Sequence, residues 1–525
     1  MGKKNSRTTN TLFNFTSSMG GQFVTIVMQF ITRTVFISTL GKSYLGINGL
    51  FSNILTMLSL AEFGVGSAIL FKLYEPIARD DRHRIAVLMK FYKDVYRIIG
   101  IAVAGIGVCL IPFLPFLIND YDKLQALHIN AVLIFILYLL KSVSSYLFFA
   151  YKSAIVKANQ KEYLINVISY GFTIGSGLVQ IIFLLLFENF QIYVLISVIS
   201  VIAQNIACAR LSDKMYPYIN EKTDDKVSWS EVKGIFKDCA ALFLYKLNNF
   251  VLKATDNIIL SKFIGLEIVG VYSNYYIFYT TIRTLFNKVF NSVSHSLGNL
   301  HTGHNKKHEY QIFEAVDLIT IILGGTTCVG VFIVANEFVL AWIGTEWVLP
   351  QPFSLLMGME LYTLAIRLML SKYRTTMGLF QQAKYRPVAG MIINLIVSIT
   401  LVNHWGICGV LVGTITADWT TYMWYDPMII HKYGFGESFP VVQYYIKNLK
   451  YLVIVALIGA VDWMICTHIL TDLGWISVIA HAMICAITVP VTLIAISVRT
   501  PEGQYVYKLS MGYVRKITKK LLKRG

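Results

Sequence analysis

Leu40-Gly41-Lys42-Ser43-Tyr44-Leu45-Gly46 and Ile264-Gly265-Leu266-Glu267-Ile268-Val269-Gly270 are two copies of one pattern, an aliphatic residue and a glycine repeated five positions on. The two copies are 224 residues apart at both glycines (41 to 265, 46 to 270). The same offset lays Gln22 on Lys246, Thr25 on Asn249, Gln29 on Lys253 and Arg33 on Asn257. Spacings of three and four put each set on one face of a helix. Both stripes lie in stretches long and apolar enough to cross a bilayer. A cation or amide facing lipid is strongly disfavoured, so both faces are expected to line a shared interior cavity. That pattern points to a transporter.

Composition agrees. Of 525 residues 55% are hydrophobic and only 14% charged, which is the balance of an all-α polytopic membrane protein and not of a soluble one. Apolar stretches predict about fourteen transmembrane helices. The net charge of +17 is concentrated in alternate loops, among them Arg79, Arg82, Arg84, Lys90, Lys93 and Arg97, then Lys152, Lys157 and Lys161, then Lys384 and Arg386. Lys42 and Lys123 are the exceptions. This is the positive-inside pattern, and it predicts both termini in the cytoplasm. It also argues against nucleic acid as a partner, because no basic face belongs to a soluble domain. The basic tail (Arg515, Lys516, Lys519, Lys520, Lys523, Arg524) suits anionic headgroups of membrane lipids. Seven single cysteines show no metal-type spacing and read as small buried residues.

The repeat sets the organisation. Residues 1–210 form an N-lobe of six helices, 211–238 a cytoplasmic linker, 239–431 a C-lobe of six helices, 432–497 an extra helix pair and 498–525 the tail. An even number of helices per repeat makes both lobes enter the membrane the same way, related by a pseudo-two-fold axis along the membrane normal. Tyr151-Lys152 before Ala158-Asn159-Gln160-Lys161 echoes Tyr373-Arg374 before Gln381-Gln382-Ala383-Lys384. Trp342, Trp347, Trp405 and Trp475 are placed at the outer interface.

The candidate substrate-binding residues are the cations within the spans: Arg33, Lys141, Lys246, Lys253, Arg283 and Arg367. Gln22, Gln29, Asn249, Asn257 and Asn287 form the supporting polar stripe. Cations outnumber acids within the spans, so the expected cavity attracts an anion, phosphate or pyrophosphate, through charge-assisted hydrogen bonds. The competing reading is that each cation is neutralised by an acid and only fixes packing; Lys253 with Asp256, and Glu360 with Arg367, are the pairs in reach. Asp256, Glu360 and Asp418 are candidates for a coupling ion, proton or sodium. No phosphate-cradling glycine loop, zinc motif or nucleophile elbow is present, so neither a cofactor, a metal nor an enzymatic activity is implied.

Several stretches resemble bacterial polysaccharide-repeat-unit flippases. They are Arg33-Thr-Val-Phe-Ile-Ser-Thr-Leu-Gly41, Tyr44-Leu-Gly-Ile-Asn-Gly-Leu-Phe-Ser-Asn53 and Leu58-Ser-Leu-Ala-Glu62-Phe-Gly-Val-Gly66. Asp256-Asn-Ile-Ile-Leu-Ser-Lys-Phe-Ile-Gly265 followed by Val269-Gly-Val-Tyr-Ser-Asn274 is similar to the junction of that family's seventh and eighth helices. The resemblance covers roughly the first 430 residues. It places the chain in the multidrug/oligosaccharidyl-lipid/polysaccharide exporter superfamily and implies two six-helix lobes, a central cationic cavity and alternating access. The implied cargo is an undecaprenyl-pyrophosphate-linked oligosaccharide for O-antigen, capsule or exopolysaccharide, moved across the bacterial cytoplasmic membrane, with a polysaccharide polymerase as a partner.

Two other transport readings remain, a cation-coupled multidrug exporter of the same superfamily and a peptidoglycan-precursor flippase. A passive membrane scaffold is the reading from a different class. Arg33 in the first helix, where the drug exporters carry an acid, favours an anionic cargo.

Overall fold

The computed structural model describes residues 7–59, 65–118, 121–126, 129–221, 223–235, 255–301, 306–379, 381–436, 439–508 and 511. The candidates Lys246, Asn249 and Lys253 lie outside the described residues. Among the described residues the chain is helical throughout, without strands. In chain order α1 is Arg7–Leu58, α2 Val65–Ala78, α3 Arg82–Leu110, α4 Leu114–Leu117, α5 Tyr121–Ala126, α6 Ala131–Leu147, α7 Ser153–Ala158, α8 Glu162–Phe187 and α9 Phe190–Met215. There follow α10 Leu266–His301, α11 Lys306–Ile343, α12 Gln351–Thr376, α13 Arg386–Trp405, α14 Ile407–Ile429, α15 Val441–Cys466 and α16 Trp475–Ser497.

Among the described residues nine helical stretches are long and apolar enough to cross a membrane, or ten with the bent pair α6–α7, which turns by 44°. The protein is thus a multi-span membrane protein. The expected count of fourteen is not fixed by this criterion. Its shortfall includes α10 and α14, which are long enough but studded with polar side chains (Thr280, Arg283 and Asn287; Asp418, Thr420 and Asp426).

The repeated glycine motif turns out to be a packing device. Gly41, at φ 79° and ψ −168°, breaks α1 in two, and Gly265 has φ 131°. Only glycine adopts such backbone without strain. The second glycine of each copy is a contact point. A Cβ on Gly46 would collide with the carbonyl of Leu266, and one on Gly270 would sit 2.5 Å from the carbonyl oxygen of Lys42. The two copies therefore pack directly against one another.

The chain forms two compact units, Met1–Gly270 and Val271–Gly525. Counting by repeat would end the first at the linker. Residues 255–270 stay with the first unit because the Ser261 hydroxyl donates to the Leu117 carbonyl at 3.1 Å, Lys262 lies 4.2 Å over the Phe116 ring, and the glycine motifs meet. In this unit α1 packs on α8, α8 on α9, and α6 on α3 and α9. In the second unit α12 lies between α11 and α14, and α13 pairs with α14. The C-terminal pair α15–α16 docks on α11 through Leu318, Ile321, Val329, Tyr451, Val455, Val489 and Leu493. Gly325 and Gly459 let the backbones approach: a Cβ on either would meet Val455 at 2.9 Å or Val329 at 3.3 Å.

Candidate functional site

In the first unit the candidate cations come from α1 and α6. Arg33 lies about two turns before the Gly41 break, half-buried. The phenols Tyr193 of α9 and Tyr138 of α6 act on its guanidinium. One turn further on, Phe36 packs edge-on to Phe190 and Tyr193, with ring centroids 5.6 and 5.1 Å apart. Tyr138 donates to the Asn48 side chain, and Gln180 donates to the Tyr193 carbonyl at 3.0 Å and to Ser197 at 2.8 Å. Lys141, one turn past Tyr138, is half-buried and makes no ion pair among the described residues. Gln22 is half-buried and Gln29 exposed. Asp256 is fully buried and Asn257 nearly so.

In the same unit α8 and α9 leave an apolar groove of about 770 Å³, lined by Gly171, Phe172, Gly175, Phe183 and Ala203 among others. With no charged side chain in its lining, it suits hydrocarbon and not an ionic group.

The second unit treats its charges differently. Arg367 of α12 donates to the Asp418 carboxylate of α14 at 2.8 Å, with 8% and 3% of the two side chains exposed. Its guanidinium also lies 5.2 Å over the Tyr422 ring. The neutralised reading is therefore the one the structure draws for Arg367, with Asp418 as partner rather than Glu360. Glu360 is seven residues away on the same helix, roughly 10 Å along its axis, whereas Asp418 projects from the neighbouring helix. A second cluster follows. Asp426, fully buried, meets Arg386 of α13 closely and Arg374 of α12 at 3.6 Å, and Arg386 stacks on Tyr422 at 3.9 Å. Across α12–α14, Arg367, Lys372, Arg374 and Arg386 stand against Glu360, Asp418 and Asp426, so the cation excess there is a single charge, and three of the four cations are arginines with ion-pair partners. Arg283 of α10 is half-buried, and among the described residues its side chain makes no ion pair. The Asn287 amide donates to the Arg283 carbonyl at 2.9 Å, which turns it back on its own helix.

The ion pairs also reveal the repeat. Lys152 reaches Asp213 at 2.7 Å and Asn220 at 2.9 Å, just as Arg374 reaches Asp426. In each repeat a base at or just past the end of the fourth helix meets an acid at the end of the sixth. The Tyr-Lys/Tyr-Arg echo pointed at the base; its acid is distant in sequence. Residues 223–231 are tied to α3: His83 meets Asp225 at 2.7 Å, Arg84 meets Glu231, and Lys90 donates to the Thr223 carbonyl at 2.5 Å.

Comparison with known proteins agrees with this architecture. A family model described as "Polysaccharide biosynthesis protein" matches residues 40–349, and the chain belongs to that family. No curated protein sequence matches it. Among solved structures, a lipid II flippase MurJ in an inward closed conformation superposes with a TM-score of 0.64 at 14% identity, covering 93% of this chain and 99% of that one. An inward-facing multidrug resistance transporter of the MATE family, in the MOP superfamily, superposes with a TM-score of 0.56 at 15% identity, covering 77% and 94%. At these identities the likeness is one of fold alone.

Proposed function

We propose that the chain is a flippase for an undecaprenyl-pyrophosphate-linked oligosaccharide repeat unit, moving it from the inner to the outer leaflet of the bacterial cytoplasmic membrane for O-antigen, capsule or exopolysaccharide assembly. The observation that carries this reading is Lys141 of α6, a half-buried cation within a membrane-spanning unit that makes no ion pair among the described residues, with Arg33 of α1 in the same unit. A positive interior lowers the free energy of an anion within the bilayer and disfavours a cationic drug. In this reading Arg33, Lys141 and Arg283, with Lys246 and Lys253, attract the diphosphate, while Arg367 with Asp418 holds α12 to α14. Alternating access between two lobes, both termini in the cytoplasm, a polymerase receiving the product and proton or sodium coupling complete the proposal.

The test is complementation of a deletion strain. Arg33→Gln and Lys141→Met together are expected to abolish surface polymer while the protein remains folded and in the membrane. Unchanged polymer with the double variant refutes the cationic site. Altered dye efflux with normal polymer in the deletion strain moves the assignment to a multidrug exporter. Loss of peptidoglycan synthesis in place of surface polymer moves it to a peptidoglycan precursor, which shares the diphosphate chemistry.

A further inference from the structure

The C-terminal helix pair carries a buried histidine with more acceptors around it than a neutral ring can satisfy. His481 of α16 is fully buried. Its Nε2 lies 2.7 Å from the carbonyl oxygen of Ile469, in the connection between α15 and α16. Its Nδ1 lies 3.0 and 2.8 Å from the two carboxylate oxygens of Glu337 on α11. A carbonyl oxygen only accepts, so Nε2 carries a hydrogen. A neutral imidazole has one donor and one acceptor, so Nδ1 would then aim a lone pair at an ionised carboxylate. That contact is repulsive at 2.8 Å. It becomes a hydrogen bond when the couple holds one further proton, on the ring or on the carboxyl.

We infer that Glu337 and His481 form a proton-binding site whose occupancy fixes the C-terminal helix pair and its connection to α11. This goes beyond the cargo reading and does not depend on it. The other titratable groups on the surrounding elements are Asp462 and Cys466 of α15, Cys485 one turn along α16, and His468 and Asp472 in the connection. Asp462 accepts from Thr488 at 2.6 Å, and Glu337 is the charge that acts on the imidazole. Glu337 is 32% exposed while His481 is not exposed at all, so the carboxyl is the port by which the proton enters and leaves. The connection needs the anchor: Leu470 and Asp472 hold left-handed backbone at φ 55° and 61°, unfavourable for non-glycine residues. Removal of the proton sets lone pair against carboxylate and releases that strain.

The test is hydrogen exchange of the full-length protein in lipid nanodiscs from about pH 6 to about pH 9, corrected for the intrinsic pH dependence of exchange. Protection of residues 467–480 is expected to fall with rising pH by up to about tenfold per pH unit, the limit for release of one proton. Residues 314–330 of α11 serve as the internal reference. Glu337→Gln donates an amide hydrogen to Nδ1 without the extra proton, so its protection is expected to be independent of pH. A flat corrected profile in the wild type overturns the proposal, whatever the variant does. So does a Glu337→Gln profile that falls in parallel with the wild type. Neither result touches the cargo assignment, which the polymer assay tests separately.

Discussion

Asp418→Asn isolates the energetics of the buried Arg367 pair. At 2.8 Å, two unit charges attract by about 6 kcal/mol at an effective dielectric of about 20. Much of that offsets the desolvation of two groups that are 92% and 97% buried. Removing one partner leaves the other charged and enclosed, and the expected loss of stability is about 3–5 kcal/mol. Arg367→Met should cost a comparable amount, since it strands Asp418. The double variant Arg367→Met/Asp418→Leu should recover most of the loss, because a well-packed apolar pair replaces an ion pair with little net change. The assay is reversible unfolding in mixed micelles, read as a double-mutant cycle, with polymer export measured in parallel. The structural role predicts that the double variant is both stable and active. Single variants that shift stability by less than about 0.5 kcal/mol, as surface changes do, refute the reasoning. A double variant that is stable but fails to export returns Arg367 to the cargo site.

Other expectations follow from the same geometry. Gly46→Ala places a methyl group against the Leu266 carbonyl, and overpacking against backbone should cost about 1–3 kcal/mol in unfolding free energy. Gly41→Ala, forced into backbone that only glycine favours, should lose a similar amount without any steric clash, since nothing lies within 4 Å of the added atom. Asp426→Asn should destabilise more than Asp213→Asn in thermal unfolding. The first strips a fully buried carboxylate from two guanidiniums; the second touches an acid whose side chain is 36% exposed and screened by water. Equal shifts would argue against burial as the deciding factor.

Much of the architecture was legible locally. The 224-residue repeat was visible because glycine at positive φ and glycine at a close helix contact are requirements on single residues, and both requirements recur at Gly41/Gly265 and Gly46/Gly270. The bent fourth helix was less visible: Phe149 takes left-handed backbone at φ 58°, which its sequence does not announce. Among site residues, spacing placed Arg367 on a polar face but offered Glu360 as its partner. His481 and Glu337 were not singled out at all, although an uncommitted histidine in an apolar span is the signal that marks the pair.

Hydropathy, charge placement and an internal repeat by themselves determined that this is a multi-helix membrane protein of two related halves, because each depends on residue type at a given position along one helix. Partner choice was decided only by the tertiary structure. Arg367 meets Asp418 across 51 residues, Lys152 meets Asp213 across 61, and His481 meets Glu337 across 144. A helical period specifies which face a side chain occupies; which charge opposes it depends on how neighbouring helices are packed and in what register. For a cation inside a bilayer, that packing separates a neutral fastening from a site able to attract an anion.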